Sequence, residues 1–349
     1  CTSKVIFIAK NGKSDYSNPK NYRPISLTSH MLKALERLIL VQIKEIPLAR
    51  SPLNANQHAF RAGSSTESAL IDLIDDIESA TLRKQFALGV FLDISGAFDN
   101  IDTKAVINVM CRRGISNKIV DWYDFYLQNR VAAVDIKGTS YNRKLTKGVP
   151  QGGILSPIVW NLAFDDLLNT FDRGPIKIRG FADDACLLVK GPDPNTLIDI
   201  MEHALDKALA WGKKYKLCFN PLKSEAMLFQ GQGKFKQTSK LIKFQDTTIP
   251  FSREVKYLGV HLDPKLKFST HIDKRVAKAK ALLFAIKNAI GKFWGPSPKM
   301  MLWCWTQMIR PMFTYGSVVW GQKTQGRIKS IKRLQRLGLL TTTNIIKRS

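Results

Sequence analysis

The stretch Ile178-Arg-Gly-Phe-Ala-Asp-Asp-Ala-Cys-Leu-Leu-Val189 places two adjacent carboxylates, Asp183 and Asp184, between short apolar runs. An Ala-Asp-Asp triplet in this setting predicts a β-hairpin with the acids at its tip. Adjacent carboxylates repel each other, and a divalent cation is the usual reason to hold them together. The alternative, that two Asp residues only fill a solvated turn, stays open on this stretch alone because Asp suits turns.

Length and composition indicate a soluble globular protein. The chain has 349 residues, of which 44% are hydrophobic, enough for two or three domains with a sizeable core. It begins with Cys1 instead of Met, so we expect a fragment of a longer protein, and we find no signal peptide. The apolar stretch from Met300 to Trp320 is interrupted by Arg310-Pro311, so we expect no membrane span and no membrane partner.

Positive charge is concentrated in the C-terminal part of the chain. The net charge is +26. Residues 1–210 contain 26 Lys and Arg against 23 Asp and Glu, whereas residues 211–349 contain 28 against 5. This asymmetry indicates a near-neutral core joined to a part that binds a polyanion, and nucleic acid fits that part better than a membrane surface.

The cysteines indicate a reducing compartment. They are far apart, form no C-x-x-C pair and have no His at zinc-finger spacing, so we expect reduced and mostly buried thiols. They are Cys1, Cys111, Cys186, Cys218 and Cys304.

Three cations near the start of the chain lie where an anion could bind. Lys10 and Arg23 flank one turn, and Pro24 keeps Arg23 out of a helix. Arg61 lies just before a predicted helix N-terminus, another place that suits phosphate. Solvated loop cations and a locally packed Arg are the alternatives, and these segments alone do not decide between them.

Periodicity and capping residues predict the helices. Ser64 and Glu67 have capping-box spacing at the start of one helix, and Ser156 is expected to cap another. The other expected helices run from Thr28 or Ser29 to about Ile43, Asp102 to before Gly114, Ser116 to about Gln128, Pro194 to Lys216, His271 to Lys292, Ser297 to Thr314 and Arg327 to Leu339. A boundary near residue 265 separates a mixed α/β part from a basic C-terminal part in which all the expected elements are helices.

Strand patterns occupy the middle of the chain. Phe86 to Leu92 is apolar on both faces apart from Gly89, which indicates a strand buried centrally in a sheet, and it ends at Asp93. The other expected strands are a hairpin of Val131–Ile136 with Lys144–Val149, a pair of Leu217–Phe219 with Glu225–Phe229, and Val255–His261.

Asp93 and the Asp183-Asp184 pair end two strands about 90 residues apart. If these strands are neighbours, three carboxylates face one cleft, an arrangement that holds two Mg²⁺ ions roughly 3.5–4 Å apart in phosphoryl transfer. Oxygen ligands favour Mg²⁺ or Mn²⁺, and the sequence has no His/Cys cluster for zinc. The glycine-rich segment around Gln151 offers a backbone that a ligand can approach closely, although a turn-rich linker is the alternative.

The ordered motifs resemble the A, B and C motifs of reverse transcriptases, and their flanking segments are similar to the non-LTR (LINE-type) retrotransposon branch, as in the R1 and jockey groups. The match covers nearly the whole chain. The three motifs are Phe91-Leu-Asp-Ile-Ser-Gly-Ala-Phe-Asp99, Gly148-Val-Pro-Gln-Gly-Gly-Ile-Leu-Ser-Pro157 and Phe181-Ala-Asp-Asp184. The flanking segments are Asn21-Tyr-Arg-Pro-Ile-Ser-Leu27, Gln57-His-Ala-Phe-Arg-Ala-Gly63, Val255-Lys-Tyr-Leu-Gly-Val260 and Tyr315-Gly-Ser-Val-Val-Trp320.

The resemblance implies an α+β fold, the right-hand polymerase with fingers, a palm built on an antiparallel sheet and a helical thumb. Residues 1–86 would form the fingers and the first approach to the palm, and residues 87–264 the palm. Residues 265–349 would form the basic helical thumb and connection, which follows the template–primer backbone. In this last part we expect the Trp side chains to pack in the core; they are Trp294, Trp303, Trp305 and Trp320.

The resemblance also implies roles for single residues. Asp93 and Asp183 would bind the two metal ions with help from Asp184, Phe98 would be the steric gate against a ribose 2′-OH, and Lys223 would be a general acid for pyrophosphate release. The remaining implied contacts are Lys10, Arg23 and Arg61 at the triphosphate, Gln151 and Gly152 at the template and incoming base pair, and Tyr257, Leu258 and Gly259 in the primer grip.

The implied activity is RNA-directed DNA synthesis, in which a DNA 3′-OH is extended with dNTPs on an RNA template, by target-primed reverse transcription. We expect element RNA in a ribonucleoprotein, target DNA, an endonuclease domain on the same full-length polyprotein, and a nuclear location after cytoplasmic assembly. Gly96, where many relatives have Lys, and Phe181, where the wider family often has Tyr, depart from the family pattern but remove no metal ligand.

Three alternatives remain at this point. A group II intron-type reverse transcriptase with maturase function fits the flanking segments less well. An RNA-dependent RNA polymerase is disfavoured by the bulky Phe98. A non-catalytic RNA-binding relic is disfavoured by the intact carboxylate triad.

Overall fold

The structure is a computed structural model that describes residues 2–10, 12, 14–231, 240–288, 295–322, 326 and 328–342. Its strands are β1 (Thr2–Ala9), β2 (Tyr22–Leu27), β3 (Phe86–Asp93), β4 (Val131–Ile136), β5 (Thr139–Lys144), β6 (Ile176–Phe181), β7 (Asp184–Gly191), β8 (Glu225–Phe229), β9 (Ile242–Phe244), β10 (Thr247–Ile249), β11 (Val255–Tyr257) and β12 (Val260–Leu262).

The helices follow the predicted periodicity closely. They are α1 (His30–Glu45), α2 (Pro47–Arg50), α3 (Thr66–Leu82), α4 (Ala97–Asn100), α5 (Thr103–Arg112), α6 (Asn117–Gln128), α7 (Ser156–Asn169), α8 (Pro194–Tyr215), α9 (Ser269–Asn288), α10 (Pro298–Cys304), α11 (Arg310–Thr314), α12 (Ser317–Trp320) and α13 (Ile328–Thr342). A π-helical turn, Trp305–Ile309, joins α10 to α11. The expected helix ends at Lys292 and Arg327 lie outside the described residues.

A four-stranded antiparallel sheet in the order β6-β7-β3-β8 lies at the centre of the chain. The prediction of a central buried strand is confirmed, because β3 pairs with β7 on one side and β8 on the other. Leu88 and Val90 face a hydrophobic cluster shared with α5 to α8, whereas Ala87 and Phe91 face a second cluster shared with α3, β11, β12 and the C-terminal helices. Since both faces are buried, the register of β3 is strongly specified.

A second four-stranded sheet has the order β2-β1-β4-β5. β1 pairs antiparallel with β2 and parallel with β4. Arg23 lies in β2 opposite Ile8, and the backbone N–H of Lys10 donates to the carbonyl of Asn21. The β1–β2 hairpin therefore carries both predicted cations at one edge of this sheet.

The predicted return strand of the β4 hairpin is wrong. It is Thr139–Lys144, not Lys144–Val149. Lys137 and Gly138 have φ values of 49° and 84°, as a tight two-residue turn requires. All residues of β5 are exposed, so this segment lacks the apolar alternation that indicates a half-buried strand.

The predicted pairing of Leu217–Phe219 with Glu225–Phe229 is wrong. Phe219 makes only an isolated bridge, with Ile94, and β8 pairs with β3 instead. β8 is therefore an edge strand of the central sheet and does not form a local hairpin with Leu217–Phe219.

The N-terminus of α3 differs from the predicted capping box by one residue. Ser65, not Ser64, is the cap, and it exchanges hydrogen bonds with Ser68 in place of Glu67. Because Ser64, Ser65 and Thr66 are adjacent, the sequence allows more than one position for the cap. Ser65 is the cap in the structure, and its backbone is extended as a cap residue requires.

The prediction that the thiols are mostly buried is wrong for the described cysteines. Cys186 is buried and Cys304 is partly exposed, whereas Cys111 and Cys218 are exposed. Cys1 lies outside the described residues.

The Trp side chains of the C-terminal part are divided between core and surface. Trp305 and Trp320 are buried as expected, but Trp303 is 59% exposed on α10, and Trp294 lies outside the described residues. In the part of the chain that the structure describes, no helix is long and apolar enough to cross a membrane.

We expect Gly180→Ala to destabilise the fold by about 1–3 kcal/mol, because adding a methyl group to a packed interior forces neighbours to move. A Cβ at Gly180 would lie 2.3 Å from a ring carbon of Phe164. Chemical denaturation measures the change. The matched control is Gly231→Ala, where the nearest atom, the Thr81 carbonyl oxygen, would be 3.5 Å away. Equal stability of the two variants would contradict this packing.

Candidate active site

The predicted Asp-Asp hairpin is confirmed. β6 and β7 pair with Phe181 opposite Asp184, which leaves Ala182 and Asp183 as a two-residue turn. Ala182 has a φ of 56°, which is uncommon for a residue with a side chain. The indole N–H of Trp160 donates to the carbonyl of Ala182 at 2.7 Å. α7 therefore holds the turn that presents Asp183.

β3 brings the third carboxylate to this turn. Asp93 lies directly opposite Asp184 in the ladder between β3 and β7. Partial desolvation raises the pKa of Asp183, as does repulsion from Asp93, while Arg23 and Lys10 oppose the shift. The three predicted metal ligands therefore lie close enough to repel one another.

The same two effects, desolvation and repulsion, also act on Asp184. Partial desolvation, with repulsion from Asp183 and Asp93, raises the pKa of Asp184 to about 6. Both residues of the pair remain accessible to solvent, so the surrounding protein desolvates them within an open cleft and not within the core.

The donor set suits a hard divalent cation. The carboxylates of Asp93, Asp183 and Asp184 supply only oxygen ligands, and a bound cation would relieve the repulsion that raises the pKa of the last two. Among the described residues, no group of three or more His, Cys, Asp or Glu side chains is arranged to hold a metal ion. The carboxylates thus share a cleft without being drawn around one point.

Lys223 approaches Asp93, one of these carboxylates, from the turn before β8. Its Nζ lies 3.6 Å from Oδ2 of Asp93, and the backbone N–H of Asn220 in this turn donates to the Asp93 carbonyl at 2.9 Å. The ammonium group is largely exposed. The predicted general acid is therefore at the edge of the cleft.

The glycine-rich loop lies against β2. The backbone N–H of Ser26 donates to the carbonyl of Gln151 at 2.7 Å. Gly152 has a φ of 109°, and a Cβ there would lie 2.8 Å from the Ser26 carbonyl oxygen. The amide of the Gln151 side chain donates to Asp99 at 2.8 Å. A glycine is thus required at position 152, and the loop fixes Gln151 between β2 and the segment after β3.

Glu36 of α1 holds this loop from behind and was missed by the sequence analysis. The side chain is fully buried, and Oε2 accepts the backbone N–H of Ile154 at 2.8 Å. Burial raises the pKa of Glu36, and the hydrogen bond from Ile154 opposes that shift. The sequence feature that could have identified Glu36 is its charge, because it lies within the otherwise apolar buried face of α1.

The cap of α7 also differs from prediction. Ser156 does not cap the helix, because its hydroxyl donates to the carbonyl of Pro150 at 2.7 Å. Leu155 occupies the cap position and has no side-chain acceptor. Glu36 therefore supplies a carboxylate next to the N-terminus of α7, where the helix dipole favours negative charge.

Phe98 lies where the segment after β3 contacts the glycine-rich loop. The backbone N–H of Val149 donates to the Phe98 carbonyl at 2.7 Å. A Cβ at Gly148 would lie 2.7 Å from that same oxygen. The half-buried Phe98 ring packs on Trp160, with ring centroids 5.4 Å apart. The position of the predicted steric gate is therefore set by the backbone on one side and by an indole on the other.

Two of the three predicted phosphate-binding cations lie near the carboxylates. Lys10 and Arg23 both act electrostatically on Asp183. Arg61 instead donates from Nη1 to the carbonyl of Asn54 at 3.0 Å, and its charge acts on His58. The sequence could not separate these cases, because the direction of an Arg side chain depends on its tertiary partners.

The predicted strand Val255–His261 is in fact the β11–β12 hairpin. Leu258 and Gly259 form its turn, with φ values of 45° and 80°. Tyr257 is 3% exposed and packs on Phe91 with ring centroids 5.2 Å apart. Its side chain is buried, whereas the other two residues predicted for the primer grip, Leu258 and Gly259, are partly exposed.

Two residues of the helical part hold this turn in place. The Tyr315 hydroxyl donates to the carbonyl of Leu258 at 2.8 Å, and Nη2 of Arg275 donates to the carbonyl of Gly259 at 2.6 Å. The Arg275 guanidinium also lies over the Tyr315 ring. A Cβ at Gly316 would lie 2.8 Å from Val260. Tyr315 and Gly316 therefore pack against the β11–β12 hairpin, a role that the local sequence pattern did not indicate.

Comparisons with known proteins agree with this geometry. Residues 8–262 match the family described as reverse transcriptase (RNA-dependent DNA polymerase). The chain is 26% identical over 349 residues to the putative 115 kDa protein in type-1 retrotransposable element R1DM of Drosophila melanogaster, covering 98% of this chain and 33% of that protein. It is 25% identical over 344 residues to the RNA-directed DNA polymerase from mobile element jockey of the same species, covering 96% and 37%.

The fold also resembles a solved structure. Telomerase from Candida tropicalis, in complex with a TWJ fragment of telomeric RNA, has a TM-score of 0.51 at 11% identity, covering 95% of this chain and 55% of that chain. This likeness shows the right-hand polymerase fold and nothing further. The chain spans about a third of the length of the curated relatives it matches.

We expect Asp184→Asn to raise the thermal stability of the metal-free protein, and to do so more at pH 8 than at pH 5. Because desolvation and repulsion raise the pKa of this carboxyl from 3.8 to about 6 on folding, the stability that it costs grows as pH rises from about 4 to about 6. The cost is therefore incomplete at pH 5 and complete at pH 8. The difference in melting temperature should be about 1–2 °C.

The control for this comparison is Asp246→Asn in the exposed turn between β9 and β10, which should give no such dependence. Both are measured by thermal unfolding in EDTA. A stabilisation by Asp184→Asn that is the same at both pH values would show that folding does not raise the pKa of Asp184.

Proposed function

The chain belongs to the reverse transcriptase (RNA-dependent DNA polymerase) family, and we propose that it is the polymerase part of a non-LTR retrotransposon protein. It would extend a DNA 3′-OH with dNTPs on an RNA template. One observation carries this proposal: the register of β3 and β7 sets Asp93 opposite Asp184, with Asp183 in the adjoining turn. The similarity to R1 and jockey proteins over nearly the whole chain supports the non-LTR assignment.

The carboxylates would hold the divalent cations that reverse transcriptases generally use. We propose two Mg²⁺ ions, replaceable by Mn²⁺, bound by Asp93 and Asp183 with Asp184 assisting. When bound, the cations supply Lewis-acid stabilisation of the charge that develops on the transferred phosphate. The mutual repulsion of the carboxylates in the metal-free chain supports this, since it is the state that a cation would relieve.

The chain's own cations would orient the incoming nucleotide. Lys10 and Arg23 lie near Asp183, so together they would bind the triphosphate while the carboxylate cleft faces its α-phosphate. Lys223, beside Asp93, would donate a proton from Nζ to the leaving pyrophosphate. Arg61 is the least supported of the phosphate contacts, because its side chain turns to Asn54.

Two loops would select the nucleotide. Phe98 would exclude a ribose 2′-OH, and its ring is fixed by Trp160. Gln151 and Gly152 would contact the template and incoming base pair from a loop bonded to β2. Because β2 also carries Arg23, the two sides of the nucleotide site are joined through one strand.

The fingers, palm and thumb form part of the proposal. The central sheet supports a palm, and the β2-β1-β4-β5 sheet supports fingers that also take in β4 and β5 from within the range 87–264. The basic helices after residue 264 would follow the template–primer duplex, with the turn of Leu258 and Gly259 touching the primer end.

The wider setting follows from the relatives. We propose target-primed synthesis in the nucleus, after assembly with element RNA in the cytoplasm, and an endonuclease on the same full-length polyprotein. The relatives are about three times longer than the matched region, so they are long enough to contain such a domain.

Asp183→Ala should abolish primer extension. We expect a loss of at least about 100-fold in rate, because metal-ion stabilisation of the transition state amounts to several kcal/mol and 1.4 kcal/mol is tenfold. The assay is extension of a DNA primer on an RNA template with dNTPs and Mg²⁺. Asp246→Ala in an exposed turn is the control.

Two results would count against the proposal in different ways. Synthesis that persists in Asp183→Ala would contradict the metal assignment. Failure of the wild-type chain to extend the primer, with both Mg²⁺ and Mn²⁺ supplied, would contradict the polymerase function.

A further inference from the structure

Trp160 contacts two parts of the site that are far apart in the sequence. The residue lies in α7 and is fully buried. Its indole N–H donates to the carbonyl of Ala182 at 2.7 Å. Its ring packs on Phe98 with centroids 5.4 Å apart and an interplanar angle of 31°. One side chain thus touches the turn that carries Asp183 and the residue placed as the steric gate.

The hydrogen bond acts on a turn that needs support. Ala182 has a φ of 56°, and conformations of this kind persist in residues with a side chain only where surrounding contacts over-determine them. A buried donor on the Ala182 carbonyl is such a contact. Asp183 is the next residue, so a change in the Ala182 peptide plane moves the carboxylate directly.

The ring acts on Phe98. Trp160 is itself stacked on Phe164, with centroids 5.9 Å apart, so a second ring helps to hold the indole plane. The Phe98 backbone is fixed by Val149, which leaves the side-chain angle as the remaining freedom. Contact with the indole removes that freedom.

We propose that Trp160 is a positioning residue that sets the places of both Asp183 and Phe98, so that sugar selection and the catalytic carboxylate depend on one side chain. The inference rests on the proposed polymerase function. A phenylalanine would fill much of the same space, so packing alone does not require an indole; the N–H donor to Ala182 does.

Trp211 offers a matched control. It is also a buried indole, 5% exposed, and it donates to a buried backbone carbonyl, that of Ala163, at 3.0 Å. Its ring contacts Phe164, Tyr215 and Phe219, not the site. Trp211→Phe and Trp160→Phe therefore remove the same chemical group and should lower the melting temperature by similar amounts.

The two variants should differ in catalysis. Trp160→Phe keeps an aromatic ring behind Phe98 but loses the donor to Ala182, so we expect kcat with dNTPs to fall at least about tenfold, since small misplacements of reacting groups cost up to about 100-fold. KM should change less, and the preference for dNTPs over rNTPs should be kept. Trp211→Phe should retain wild-type kcat.

Trp160→Leu removes the ring as well as the donor. We expect it to lose selectivity against rNTPs in the same direction as Phe98→Val, which opens the gate itself. Two results would overturn the proposal: a kcat for Trp160→Phe that matches Trp211→Phe, or wild-type sugar selectivity in Trp160→Leu.

Hydrogen–deuterium exchange tests the same contact without catalysis. Peptides covering residues 181–185 should exchange faster in Trp160→Phe than in Trp211→Phe or the wild type, and unchanged exchange would overturn the proposal. An inactive wild-type chain would contradict the polymerase function alone, because the exchange result still decides whether Trp160 holds the turn. An active wild type with unaltered Trp160→Phe would contradict only the positioning role.

Discussion

The candidate site depends on the pairing of β3 with β7, because this register sets Asp93 opposite Asp184 and leaves Asp183 in the turn. Like charges placed opposite each other on neighbouring strands are destabilising. The hydrophobic clusters on the two faces of the sheet oppose any slip, since moving β3 by one residue would exchange its Leu88 and Phe91 faces. Core burial thus maintains a concentration of negative charge that local sequence alone would not keep, and a divalent cation is the partner suited to it.

A second constraint is the close approach of backbones around the glycine-rich loop. β2 reaches the loop through Ser26, α1 through Glu36, and the segment after β3 through Phe98. Gly148 and Gly152 make these approaches possible because a Cβ at either position would lie under 3 Å from a carbonyl oxygen. Residues proposed to bind the phosphates, the sugar and the base pair are therefore held in one rigid arrangement by chain segments well separated in sequence.

Local patterns predicted much of this arrangement. The Asp-Asp hairpin, the buried β3 and most helices follow from alternation, apolar runs and caps, which depend on near neighbours. Three features depend on tertiary partners and could not be predicted from the sequence. They are the exposed strand β5, the burial of Tyr257 and the hydrogen bond from Arg61 to Asn54. Glu36 and Trp160 were missed for a related reason. In the sequence Glu36 resembles an ordinary helix residue and Trp160 an ordinary core aromatic, and only the structure shows the loops that they contact.

Binding of Mn²⁺ measured by electron paramagnetic resonance tests most directly whether the gathered carboxylates form a metal centre. The titration compares the wild-type chain with Asp93→Asn/Asp183→Asn, and Asp246→Asn in an exposed turn serves as the control. We expect saturable binding in the wild type and the control. The affinity should be at least about tenfold weaker in the double variant, because losing even a group that only orients a metal ligand costs about 10–100-fold, and this variant changes two proposed ligands. Equal Mn²⁺ affinity in all three proteins would contradict the assignment of this cleft as the catalytic centre.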